Sequence, residues 1–203
     1  MINNFEIIKP LLDFTNLDTY YFLQILKRRK DNPGMDKDMV VIEDLFIYSM
    51  SQFERMEEDV IKTCKAHNAR AYLRLNRRSM KKTAMQMLKR VTDLIISENY
   101  KAVKNAYSSV SGEFHGDDDK SWVLDFDYKD FEGREKLLGV LHLRIQDLQI
   151  ETGREARMDI IPTKNGYHLI TRPFDIHKLS IMLNDLGVKI DCHKDNPTIL
   201  YCP

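Results

Sequence analysis

Hydrophobic and polar positions divide this chain into two unlike halves. The C-terminal half is regular. In WVLDFDYKD, residues 122–130, Leu124 and Phe126 alternate with Asp125 and Asp127. Successive side chains of a strand point to opposite faces, so the pattern predicts a strand over 122–128 with one apolar and one acidic face. A helix follows over about 131–150, with Asp130 as its cap and Gly153 as its stop. Residues 158–162 and 167–172 read as two strands around the turn Thr163-Lys164-Asn165-Gly166, because Asn-Gly between alternating runs signals a hairpin. Asp175 caps a helix to about Leu186, and Gly187 ends it. Residues 188–193 form a strand, and 198–201 a further short one. The order is β-α-β-β-α-β. It predicts a split βαβ, ferredoxin-like sheet with both helices on one face and the other face open.

The N-terminal half is less periodic. It predicts a helix over 17–30, capped by Thr15 or Asn16 and stopped by Asn32-Pro33-Gly34. A strand is expected over 39–49, then a helix opened by the capping box Ser51-Gln52-Phe53-Glu54, with Phe53, Met56, Val60, Ile61 and Cys64 as its apolar stripe. Residues 70–76 alternate again: Ala71, Leu73 and Leu75 on one face, Arg70, Tyr72, Arg74 and Asn76 on the other. Ser79 caps a helix over 80–98, and 100–108 adds another. The stretch SSVSGEFHGDDDK, 108–120, reads as a loop. The fold class is therefore α/β (α+β), with an N-terminal α/β unit over 1–116 and a ferredoxin-like core over 117–203.

Composition narrows the function classes. The chain has 203 residues, 43% hydrophobic and 31% charged, which is ordinary for a globular protein. No apolar run reaches the length of a membrane span. The N-terminal MINNFEIIKPLLDF lacks the basic region and apolar core of a signal peptide. Three cysteines without CxxC spacing favour neither a disulfide framework nor a zinc site. An intracellular, cytoplasmic protein without membrane contact is expected. Formal net charge is zero, so no global field draws the protein to nucleic acid. The distribution is uneven. No acidic residue occurs between Ile61 and Thr92, where Arg70, Arg74, Arg77, Arg78, Lys81 and Lys82 cluster, whereas 117–119 is Asp-Asp-Asp. A local basic segment suggests a polyanion site, here with Arg70, Arg74, Asn76, Arg77, Arg78, Lys81 and Lys82 as its candidates.

Alternation brings the chemistry together. If Leu124 and Phe126 face the helices, Asp125 and Asp127 line the open face. If Val188, Ile190 and Cys192 are buried, Asp191 and His193 share that face, and His168 falls there too. Three carboxylates suit Mg²⁺ or Mn²⁺, and two such ions can clamp the attacking and leaving oxygens of a phosphoryl transfer. The Lys164-Asn165-Gly166 turn offers backbone and cation to phosphate oxygens, with Arg172 nearby on the hairpin.

These residues carry a resemblance. The chain resembles the archaeo-eukaryotic primase, or primase-polymerase, superfamily, whose core is a ferredoxin-like or RNA-recognition-motif-like sheet. The family's hhDhD motif matches VLDFD, giving Asp125 and Asp127. Its small-x-His motif matches PTKNGYHLI, giving His168, with Gly166 where Ser is usual. Its hD motif matches KID, giving Asp191. The motifs span about a third of the chain. The resemblance implies that the three Asp residues bind catalytic Mg²⁺ or Mn²⁺ and that His168 contacts the phosphates of an incoming nucleoside triphosphate. It implies a DNA or RNA template and primer as partners, with a helicase or other replication protein beside them. Two other classes stay open: a metal-dependent nuclease using the same carboxylates, and a non-enzymatic module binding single-stranded nucleic acid by stacking.

Overall fold

Strand alternation governs both halves of the molecule. The structure, a computed structural model, describes residues 1–113, 120–127, 131–188 and 190–203. The acidic triplet at 117–119, Tyr128, the expected cap Asp130 and Lys189 lie outside the described residues. The fold is mixed α and β, with two antiparallel sheets. Among the described residues no helix is long and apolar enough to cross a membrane.

The N-terminal half builds β1 (Ile2–Asn3), α1 (Phe5–Ile8), β2 (Thr19–Arg28), β3 (Met39–Ile47), α2 (Met50–Arg55), α3 (Glu57–His67), β4 (Arg70–Ser79), α4 (Met80–Ile96) and α5 (Ala106–Glu113). β2 overturns the helix expected over 17–30. Its sequence TYYFLQILKR is rich in aromatic residues and is buried from Tyr20 to Leu23, between β3 and β4. A run that is apolar on both sides carries no period, and a central strand buried on both faces produces the same pattern as a buried helix. The expected capping box is displaced as well: Ser49, not Ser51, caps α2, its side chain accepting from the Gln52 N–H at 3.2 Å. Ser79 caps α4 as expected, accepting from the Lys82 N–H at 3.3 Å. The segment expected to be a loop from residue 108 instead continues α5 to Glu113.

The C-terminal half builds β5 (Trp122–Phe126), α6 (Phe131–Glu151), β6 (Met158–Pro162), β7 (Tyr167–Thr171), α7 (Ile176–Asp185), β8 (Asp191–His193) and β9 (Thr198–Cys202). Strand order is β6-β7-β5-β8, with every neighbouring pair antiparallel. Leu124, Phe126 and Leu169 share one core with Leu141, Ile145 and Leu148 of α6 and Leu179 and Leu183 of α7, so both helices cover that face. Asp175 caps α7, accepting from the N–H groups of His177 and Lys178.

The opposite face is not fully open. Val123, Ile161 and Ile170 point away from the helices and join the core of the N-terminal half, with Leu23, Ile25, Ala71 and Leu73. β9 goes further: it pairs with β4 and β1, completing the first sheet in the order β1-β9-β4-β2-β3. The boundary expected at 116/117 therefore does not separate the strands of the two sheets. Buried Asn4 adds a polar latch, donating to the carbonyls of Pro162 and Ile199 at 2.9 and 3.0 Å.

Candidate functional site

Register places the motif residues in one row. Asp125 of β5 is the direct cross-strand partner of His168 on β7 and of Asp191 on β8. Asp127 follows the last residue of β5 and is exposed. His193 stands opposite Val123, on the same face as Asp191. Of these, Asp125, His168 and His193 look across a groove at the first sheet. One cavity of about 360 Å³ is lined by Asp125, His168 and His193 on one side and by Gln24, Arg28, Tyr72 and Arg74 on the other. A smaller cleft of about 70 Å³ continues it past Asp127, Arg28, Lys30, Arg70, Thr163, Lys164 and Asn165.

His168 is the most constrained of these groups. Its side chain is 14% exposed. Nδ1 lies 2.9 Å from the hydroxyl of buried Thr198 on β9, and Nε2 lies 3.8 Å from Asp125 Oδ1. The Thr198 contact fixes the ring, so Nε2 is the nitrogen that faces Asp125. Burial pushes the imidazole pKa down, against the upward pull of Asp125 and Asp127. At neutral pH the ring is uncharged, and an added anion would favour its protonated form.

Gly166 has a steric reason for lacking a side chain. A Cβ there would stand 2.0 Å from the Phe126 carbonyl oxygen and 3.0 Å from Asp127 Cα. Only a glycine lets the turn lie against the end of β5. The turn is closed by Thr163 N–H to Gly166 O at 2.9 Å and by Gly166 N–H to the Thr163 hydroxyl at 3.0 Å. Lys164 and Asn165 thus stand beside Asp125 and Asp127 in the smaller cleft. Lys164 Nζ is 3.8 Å from Asp31 and remains 60% exposed. Arg172 is placed elsewhere. β7 runs antiparallel to β5, so Arg172, just past Thr171, lies at the Trp122 end. Four residues along a strand is about 13 Å. Among the described residues it lines neither part of the groove.

The basic set divides. Arg78 is fully buried and grips Asp195 with both terminal nitrogens, at 3.1 and 2.8 Å, while its Nε donates to the Ser111 carbonyl. Asn76 donates to Asp195 and to the Ser121 and Lys194 carbonyls, and accepts from the Ser121 N–H. Arg74 donates to the Asp195 carbonyl oxygen. Arg70 pairs with Asp31. Burial works against that carboxylate, but the hydrogen bond and charge of Arg70 hold its pKa below the usual carboxylate value. Arg77 points to the other side of the sheet and pairs with Asp13 at 2.7 Å. Lys81 and Lys82 are exposed on α4. Of the seven candidates, Arg70 and Arg74 reach the groove.

Sequence reasoning missed Arg28, Tyr72, Thr198 and Lys30. Arg28 donates to the Tyr72 hydroxyl at 3.0 Å, and both line the two parts of the groove. A helix over 17–30 scrambles the face on which Arg28 falls. Tyr72 was legible as a polar-face residue of its strand, but nothing local shows which surface that face meets.

Asp125 and Asp127 offer hard oxygen donors to one cleft, with Asp191 in register beside Asp125. That donor chemistry fits Mg²⁺ or Mn²⁺, and Mg²⁺ commonly takes one or two protein carboxylates and completes its shell with water and phosphate. Among the described residues no group of three or more His, Cys, Asp and Glu side chains is gathered closely enough to hold a metal ion. The three cysteines are free thiols. Burial pushes Cys64 up to about 12 and Cys192 up to about 11, so neither is a thiolate nucleophile at neutral pH.

Comparison with known proteins adds no relative: no family model, no curated protein and no solved structure matches this chain.

Proposed function

We propose that this chain is a primase-polymerase-like nucleotidyltransferase, transferring a nucleotide from a nucleoside triphosphate to a 3′-OH on nucleic acid. The observation that carries the reading is the cross-strand row Asp191–Asp125–His168 beside a groove that holds Arg28, Lys30, Arg70 and Lys164. Carboxylates for metal and cations for phosphate thus meet along one cleft. The strand order β6-β7-β5-β8, with α6 and α7 on one face, supports a ferredoxin-like core.

On this reading Asp125 and Asp127 would hold Mg²⁺ or Mn²⁺, and Asp191, in register beside Asp125, would have to move toward them to join the set. A metal bound there would supply Lewis-acid stabilisation of the attacking and leaving oxygens. His168 Nε2 and Lys164 hold the triphosphate, with Arg28, Lys30 and Arg70 in place of the distant Arg172. Gly166 lets Lys164 and Asn165 reach the same cleft. Arg74, with Lys81 and Lys82 outside the groove, contacts the template or primer backbone, and that contact weakens with salt. Asn76 and Arg78 act indirectly, by holding β4 to Lys194 and Asp195, and Arg77 by holding β4 to Asp13. Partners are nucleoside triphosphates, a DNA or RNA template and primer, and a helicase or other replication protein, in the cytoplasm.

The test is a primer-synthesis and primer-extension assay on single-stranded templates with Mg²⁺ or Mn²⁺. Wild type is expected to make metal-dependent products, and Asp125→Asn to lose them. Template cleavage without triphosphate would move the reading to a nuclease. Single-strand binding with no product from either form would move it to a binding module.

A further inference from the structure

The cleft beside Asp125 and Asp127 is a neck between two larger pockets. It holds about 70 Å³, against about 360 Å³ in front of it, toward Tyr72 and Arg74, and about 350 Å³ behind it. Lys30, Arg70 and Lys164 line both the neck and the rear pocket, and Asp31 and Asn68 line the rear pocket without reaching the neck. Local folding fixes this rear wall. Lys30 and Asp31 sit on one 3₁₀ turn, Arg29–Asp31, that follows β2. Two asparagines clasp that turn. Asn68 donates to the Asp31 carbonyl at 3.0 Å and to Asn32 Oδ1 at 3.1 Å. Asn32 donates in return to the carbonyls of Asn68 and Arg28, at 3.0 and 3.1 Å. Asn68 can do this because it ends α3 in the left-handed conformation, with φ 47°, which asparagine adopts more readily than most residues.

The two pockets differ in chemistry. The front one offers apolar Leu26, Met39 and Pro197 with the amides of Gln24 and Asn196, which suits a base and a sugar. The rear one sets three cations, Lys30, Arg70 and Lys164, against one carboxylate, Asp31, a surplus of two positive charges. Asp31 takes Arg70 and stands 3.8 Å from Lys164. Arg70 keeps a buried Nε with no hydrogen-bond partner, and Lys30 makes no salt bridge among the described residues. Guanidinium and ammonium groups in such surplus bind phosphate oxygens. With Asp125 and Asp127 at the neck, the cleft follows the parts of a nucleotide in order. We propose that the rear pocket takes a pyrophosphate group, the β- and γ-phosphates of the nucleoside triphosphate, while the α-phosphate lies at the neck and the nucleoside in front. The assignment rests on the nucleotidyltransfer reading. It makes Lys30, the unpaired cation on the rear turn, the residue that tells a triphosphate from a monophosphate.

Calorimetry on the full chain in Mg²⁺ tests it with three probes: a nucleoside triphosphate, the nucleoside monophosphate and inorganic pyrophosphate. Pyrophosphate is expected to bind wild type, to bind within about threefold as well when the monophosphate already saturates the protein, and to be excluded by the triphosphate. Lys30→Ala is expected to weaken triphosphate and pyrophosphate by about tenfold and the monophosphate by less than about twofold. Lys30 is exposed, so its truncation leaves the core intact, and circular dichroism checks that. Lys178→Ala removes the same charge from α7, on the helix-covered face of the second sheet, and is expected to leave all three affinities unchanged. Pyrophosphate displaced by the monophosphate overturns the proposal, because the phosphates then share one site. So does pyrophosphate displaced by a single-stranded oligonucleotide and not by the triphosphate, or an equal loss of tri- and monophosphate binding in Lys30→Ala. The two claims fail separately. Absence of triphosphate binding by wild type overturns the transfer reading. Pyrophosphate binding that does not depend on Lys30, read in Asp125→Ala/Asp127→Ala as well as in wild type, overturns the rear pocket.

Discussion

The two sheets handle charge in opposite ways. On β4 of the first sheet, Arg70, Arg77 and Arg78 each meet a carboxylate from a distant part of the chain: Asp31, Asp13 and Asp195. On the second sheet, Asp125 and Asp191 stand opposite each other in adjacent strands. Like charges directly opposite are destabilising. The first arrangement serves the fold, because buried charges are tolerable only when paired. The second sets stability against something else, and in our reading that is a metal and a triphosphate. A basic sequence segment is thus weak evidence for a polyanion site until its counter-ions are known. Asp125 and Asp127 are stronger evidence, since both line the cleft that holds Arg28, Lys30, Arg70 and Lys164.

The largest way to break this contrast is Arg78→Ala. It leaves Asp195 facing a buried void and is expected to cost about 3–5 kcal/mol in a urea titration. Asp127→Asn, at an exposed position beyond β5, is expected to change stability by no more than about 0.5 kcal/mol. If the two substitutions cost the same, the division of charge between the sheets is wrong. Next is Gly166→Ala. The added Cβ collides with the Phe126 carbonyl, so the turn must move away from β5. A loss of about 1–3 kcal/mol is expected, with triphosphate binding weakened beyond what stability explains.

Thr198→Val sharpens the account of His168. It leaves a ring nitrogen with no partner in a buried site, at a cost of about 1–3 kcal/mol, and frees the ring to turn. Thr198→Ser restores the hydroxyl and is expected to restore triphosphate affinity and its pH profile. The smallest effect is the pH dependence of stability. Burial holds the His168 pKa below the usual imidazole value. As pH falls through about 6.5, the unfolded chain takes up a proton that the folded ring resists. Stability therefore declines toward acid until the folded pKa is passed. His168→Gln is expected to flatten that part of the curve between pH 7.5 and 5. Triphosphate binding, which favours the charged ring, is expected to take up protons over the same range, seen as a buffer-dependent heat in calorimetry.

What the sequence made legible follows from how local each signal is. β5, β6, β7, α6 and α7 were readable because strict alternation, the Thr163–Gly166 turn and the Asp175 cap are all local. The convergence of Asp125, His168 and Asp191 followed from alternation on three strands. The position of Arg172 did not, because parity fixes the face and not the distance along the strand. β2 was misread because burial on both sides erases period. The pairing of β9 with β4 and β1 links residues far apart in the chain, and no local pattern encodes it. That pairing brings Thr198 to His168 and Asp195 to Arg78, so both the orientation of the histidine and the neutralisation of β4 were hidden together. Gly166 was visible as a turn residue, but its necessity lies in the approach of β5.

The central claim is that Asp125 and Asp127 exist for a metal and a nucleotide. Calorimetric titration with Mn²⁺ and a nucleoside triphosphate tests it most directly, on wild type and on Asp125→Ala/Asp127→Ala. The expected result is triphosphate binding that requires Mn²⁺ in wild type and vanishes in the double variant, while both unfold at similar urea concentrations. Triphosphate binding that ignores the metal, or survives in the folded double variant, would contradict it.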